Sequence, residues 1–188
     1  MKSLKLNWHI IVTLPEREQK VAQLLARKKI KAFCPLNLLQ SDDDDEAKTI
    51  QKQEPLFHDF VFVQIDEKDQ KLVKSINGVV DYVYWLNKPA IVREDEINFL
   101  QTYGSGCFFL QKRKMAINEN ASMELTRGAV GQLNQGLNSI NAYLPSIGYQ
   151  IFTEINNVNF GVIKKDLESQ GFILDQPHSS KSKFLLQE

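Results

Sequence analysis

Three histidines, two cysteines and a run of carboxylates are the side chains whose types could do chemistry in this chain, and their spacing argues against most of it. His9, His58 and His178 lie far apart, and none has a cysteine, histidine or carboxylate at metal-ligand spacing along one helix. His58 stands next to Asp59, but neighbours on a strand point to opposite faces and cannot form an acid/base dyad. The acidic run at residues 42–46 lacks the glycine and the distal glutamate of a calcium loop, so it reads as a solvated loop. Gly104 and Gly106 have no following lysine with serine or threonine, and no strand feeds a helix around them, so no phosphate-cradling loop is expected. Cys34 and Cys107 occur in separate segments without a CxxC pattern and read as buried free thiols. The expectation is a protein that is not an enzyme and uses neither metal nor cofactor.

Binding chemistry is better supported. Residues 55–63, PLFHDFVFV, follow a long polar, acidic segment and alternate aromatic with β-branched side chains. That pattern predicts a strand over residues 57–65, with Val61 and Val63 on one face and Phe60 and Phe62 on the other. A strand apolar on both faces needs a cover on each, so one face must meet another domain, another molecule or part of the same chain. On the first predicted helix Arg17, Lys20 and Arg27 fall at intervals of three and seven, which places three cations on one face where phosphates could meet them. A solvated helix surface explains the same spacing.

The elements that must position these residues can be read from composition and period. With 188 residues, of which 43% are hydrophobic, the chain can build one ordinary domain or two small ones. Lysine plus arginine and aspartate plus glutamate each total 23, so any nucleic-acid contact must be local. No apolar run approaches the roughly 20 residues of a membrane helix, and the N-terminus has no signal-peptide core, which predicts a cytoplasmic protein with no membrane partner. Thr13 and Glu16 have capping-box spacing before a helix ending near Lys29. Residues 32–39 read as a strand in which Pro35 suggests an edge or a bulge, and Asp66 can cap a helix that Asn77 and Gly78 terminate. Residues 79–85 and 90–92 read as extended, and residues 94–103 as a last helix. The order is βαββαβ with a closing helix. Beyond Gly104–Gly106 short strands between glycines suggest a small barrel, at residues 123–126, 129–133, 140–144, 149–155 and 160–163. The expected division is an N-terminal domain at 1–105, a linker at 106–117, a barrel at 118–168 and a tail at 169–188.

The tryptophan-led first strand, the helix with basic positions, PLFHDFVFV, the N-G-V-V turn at residues 77–80 and K-P-A-I-V at residues 88–92 occur in the order and spacing of a known domain. Residues 8–103 resemble the N-terminal domain of NusG-type transcription elongation factors. PLF before F-V-F-V, and P-A-I-V after a turn, are shared with the specialised RfaH-like branch, which includes antiterminators of capsular polysaccharide operons. The resemblance implies an α+β fold, with an antiparallel sheet of about four strands and three helices, followed by a small β-barrel of KOW type. It implies a monomeric factor that binds the clamp helices of the largest RNA polymerase subunit and suppresses pausing and termination on long operons, such as those for surface polysaccharides. The clamp-binding patch would comprise Phe57, Phe60, Phe62, Trp85, Val12, Ile97 and Leu100. In the same family the first helix faces upstream fork DNA, including the non-template strand, which would give Arg17, Lys20 and Arg27 a nucleic-acid role. The chain departs from the family pattern at His58 and Asp59, in residues 67–75, which lack the threonine-rich motif, and in residues 126–136, which shorten the barrel's glycine motif. The competing reading is a stand-alone RNA- or ribosome-binding module.

Overall fold

The structure is a computed structural model, and it describes residues 6–38, 53–104, 110–114, 130–134 and 139–154. Strand β1 (Asn7–Thr13) leads into helix α1 (Glu18–Arg27), followed by β2 (Lys31–Phe33), β3 (Leu36–Leu38) and β4 (Gln53–Pro55). Strand β5 (Phe60–Ile65), helix α2 (Gln70–Lys74) and β6 (Val79–Tyr82) come next. The short strands β7 (Tyr84–Trp85), β8 (Lys88–Pro89) and β9 (Ile91–Val92) then lead to helix α3 (Glu94–Tyr103). Four further strands complete the described chain: β10 (Gln111–Lys114), β11 (Val130–Asn134), β12 (Ser139–Leu144) and β13 (Tyr149–Glu154).

The first sheet runs β2-β5-β1-β6, and β9 pairs with β1 at Trp8 and His9. Its described pairings are antiparallel, and β1 meets β5 from Asn7 opposite Ile65 to Val12 opposite Phe60. Side chains alternate across a strand, so this register sorts the apolar residues into two layers. Ile11, Val61, Val63 and Ile65 pack under Val21 and Leu25 of α1 and Val73 of α2, with Ile30, Ile76 and Tyr82 closing the layer. Trp8, Ile10 and Phe62 face the other way and pack with Ile97, Phe99, Leu100 and Tyr103 of α3. Each fully buried side chain of this size contributes about 1.5–3 kcal/mol, so both layers are substantial.

Several local expectations are corrected. Thr13 is the buried last residue of β1 and caps nothing; α1 begins at Glu18, after Glu16 takes a positive φ of 59°. The extended segment around Pro35 is two strands, β2 and β3, because proline cannot supply the ladder N–H between them. The strand predicted from Phe57 starts at Phe60, since Asp59 sits at φ 66° and turns the chain. Aspartate tolerates that left-handed conformation better than most residues. Two hydrogen bonds hold the turn: the Asp59 N–H donates to Glu18 Oε1 at 2.7 Å, and its carbonyl accepts from the Thr13 N–H at 2.8 Å. His58 is exposed in this turn rather than on a strand. Asp66 precedes α2 by a turn, and its carboxylate accepts from the N–H groups of Lys68 and Asp69. Gly78 adopts φ 97°, and a Cβ there would stand 2.9 Å from Val21 Cγ2, so this turn requires glycine.

The second sheet runs β10-β13-β12-β11, with each neighbouring pair antiparallel. Residues 111–114, expected in a linker, are its edge strand β10. The strands expected at 123–126 and 160–163, and the tail, lie outside the described residues. No helix among the described residues is long and apolar enough to cross a membrane.

Candidate functional site

Strand β5 and helix α3 bring most of the expected patch together. Phe57, Phe62, Ile97 and Leu100 are buried in one cluster, and Phe60 packs against it half-buried. Val12 pairs across from Phe60 and shares the strand face of Trp8 and Ile10. Phe57 reaches the cluster from the turn before β5, with its ring edge-on to Phe62 at 6.0 Å. Trp85 stands apart. It lies on the β7–β8 hairpin, 72% exposed, beside Leu86, which is also exposed. Leu86 and Asn87 form the hairpin tip with positive φ values of 49° and 62°.

The face opposite α1 and α2 is covered. Ala142, Leu144 and Ile151 of the second sheet belong to the same buried cluster as Phe57, Phe62, Ile97 and Leu100, and Ile147 and Tyr149 pack on it. Tyr149 meets the Phe57 ring at 5.2 Å and 64°, an edge-to-face pair. Polar contacts pin the margin. The Leu110 N–H donates to the buried Asn37 Oδ1 at 2.7 Å, and Lys112 Nζ donates to the Leu56 carbonyl. Lys112 is one of the exposed residues of β10, yet its ammonium lies 5.7 Å from the centre of the Phe57 ring. Partial desolvation pulls its pKa below the usual lysine value, against the opposing pull of Glu54.

On α3, Glu96 is fully buried, and its Oε1 accepts from the Ser146 N–H at 3.0 Å in the turn between β12 and β13. Burial pushes its carboxyl up to about 7, although Ser146 and Arg93 favour the charged form. Glu96, Lys112, Asn37 and Tyr149 went unread in the sequence. Glu96 sits in a helix-start triplet of acids, Glu94, Asp95 and Glu96, and the signal that singles it out is the helical period, since it lies three, four and seven residues before the buried Phe99, Leu100 and Tyr103.

The expected nucleic-acid residues share one side of α1. Arg17 precedes the helix, Lys20 and Arg27 lie on it, all three are exposed, and no ion pair among the described residues involves them. His9 is buried, with Nδ1 2.9 Å from the Ala90 carbonyl, a structural role.

Residues 6–101 match the family described as NusG, transcription termination factor nusG, which is more than half of the 188-residue chain. The chain belongs to the NusG family. Proteins of this family are transcription factors that bind RNA polymerase, and the first sheet with its three helices is a NusG N-terminal α+β fold. Among solved structures, one titled "Domain interaction in Thermotoga maritima NusG" is similar at 15% identity, with a TM-score of 0.47, covering 81% of this chain and 94% of that one. No curated protein matches the chain.

Proposed function

We propose that this NusG-family chain is an antitermination and elongation factor of the RfaH-like branch, which binds the clamp helices of the largest RNA polymerase subunit and suppresses pausing and termination. The reading extends to long operons such as those for surface polysaccharides, to a cytoplasmic monomer, and to a role without covalent chemistry or cofactor. The observation that carries it is the apolar face of the first sheet: Phe57, Phe60, Phe62, Ile97 and Leu100 converge on the side left free by α1 and α2. A helical partner seated on such a face gains affinity from a few aromatic anchors.

The same face lies under the second sheet, so polymerase and the second sheet compete for Phe57. The second sheet, read as the family's KOW-type barrel, must lift before the clamp helices can seat. Trp85 remains exposed on the β7–β8 hairpin and can meet the polymerase in either state. Exposed Arg17, Lys20 and Arg27 fit a contact with upstream fork DNA, including the non-template strand.

Co-purification with RNA polymerase tests the reading. Trp85→Ala should weaken binding by on the order of 2 kcal/mol, roughly thirtyfold, without disturbing the fold, since the side chain is exposed. Phe57→Ala should also weaken it, although this change loosens the docked sheet as well. Wild-type protein should raise readthrough of a terminator in run-off transcription. Unchanged polymerase binding in both variants, with function lost in Lys20→Ala or Arg27→Ala and a salt-dependent affinity for free RNA, would instead identify a stand-alone RNA- or ribosome-binding module.

A further inference from the structure

We propose that Glu96 is a proton-operated latch: its carboxyl, seated between α3 and the β12–β13 turn, holds the second sheet on the N-terminal domain when protonated and loosens it when ionised. The inference concerns the docking equilibrium alone and holds whatever occupies the uncovered face.

The geometry is that of an acid with too few partners to stay charged. Glu96 is 0% exposed, Oε1 has the Ser146 N–H, and Oε2 has no hydrogen-bond partner. An ionised carboxylate needs its lone pairs satisfied, whereas a neutral carboxyl tolerates an apolar seam far better. The seam between α3 and the second sheet is largely apolar, since the two contribute Ile97, Leu100, Leu144 and Ile151 to one buried cluster. From its own helix two charged groups act on Glu96, Asp95 raising its pKa and Arg93 lowering it. From the facing turn, residues 145–148 supply the Ser146 N–H and hydroxyl but no titratable side chain. Tyr143 and Tyr149 are the titratable residues nearest that turn in sequence.

The sign follows from linkage. Docked, the carboxyl titrates at about 7; in an opened chain it returns to the ordinary 4.5 of a solvated glutamate on a helix. The docked state therefore binds the extra proton. Its contribution to docking is fully present below 4.5 and is lost as pH rises through about 7. Between pH 5.5 and 7.5 that displacement of the pKa loosens docking by about twentyfold. Near neutrality the latch is in mid-titration, so small changes in local acidity move it.

The test uses the full chain. Carbon NMR of the Glu96 carboxyl gives its titration midpoint, and hydrogen exchange of the Ser146 amide, corrected for intrinsic base catalysis, gives the opening equilibrium. The expected results are a midpoint near 7 and Ser146 protection that falls about twentyfold from pH 5.5 to 7.5. Glu96→Gln, an uncharged mimic of the acid, should stay docked with a flat pH profile. A midpoint near 4.5, a flat wild-type profile, an undocked Glu96→Gln chain, or a Glu96→Gln profile like wild type would each overturn the latch.

Discussion

If the second sheet and RNA polymerase compete for Phe57, then damage to the sheet should improve polymerase binding. Tyr149→Ala is the perturbation that isolates this, because Tyr149 lies on the cover and not on the proposed clamp-binding face. Its ring meets Phe57 at 5.2 Å and 64°, a geometry worth about 0.5–1.5 kcal/mol beyond burial. The half-buried ring adds about 1 kcal/mol of lost apolar contact, half the value of a fully buried side chain. The sum, about 2 kcal/mol, favours the opened chain roughly thirtyfold. Affinity for a partner that binds only the opened chain scales with the opened fraction, so the measured dissociation constant should fall by up to the same factor and level off once opening is complete. Titrating labelled chain with polymerase reads this directly. Because Tyr149 is only half-buried, the second sheet should survive the change, which circular dichroism checks. A Tyr149→Ala chain that binds polymerase no better than wild type, or binds it more weakly, refutes the competition.

Two further outcomes follow from the N-terminal domain. Glu18→Ala leaves the Asp59 N–H without its 2.7 Å acceptor in a turn held at positive φ, and should cost about 1–3 kcal/mol in urea unfolding; an unchanged midpoint would show that the turn holds itself. Burial, reinforced by the negative charge of Glu18, pushes the Cys34 thiol up to about 12. In a chain carrying Cys107→Ser, the native thiol at pH 8 should react with an aromatic disulfide reagent on the order of a hundredfold or more slower than after denaturation. Equal rates in the two states would contradict the burial.

The β5 strand was legible because alternation of Phe60 and Phe62 against Val61 and Val63 survives in any sheet, and both of its faces are indeed covered. Helix α3 was legible to the residue, since its apolar period is strong and Gly104 follows it. The start of β5 was not, because the positive-φ turn at Asp59 carries a hydrogen bond from its N–H to Glu18, 41 residues away in sequence. Thr13 misled for a similar reason: its sequence spacing fits a cap, but pairing with β6 keeps it in the sheet. Of the expected patch, Phe60, Phe62, Ile97 and Leu100 gather because strand and helix periods fix their faces, and Phe57 joins them from the turn before β5. The cover could not be foreseen residue by residue. Leu144, Ile151 and Tyr149 look like ordinary strand residues, and their fit to Phe57 is a property of two surfaces rather than of one segment.

Strand β10 carries one more consequence. Among the described residues it is the outer strand of the second sheet, and all four of its residues, Gln111, Lys112, Arg113 and Lys114, are exposed. An outer strand leaves a row of backbone donors and acceptors open to any extended segment that passes, which is how sheets fuse into aggregates. Three consecutive cations make that fusion unfavourable, since a second copy would bring its own three against them. Lys112 thus acts twice, tethering the strand to Leu56 of the N-terminal domain and adding to the positive charge that opposes edge-to-edge pairing.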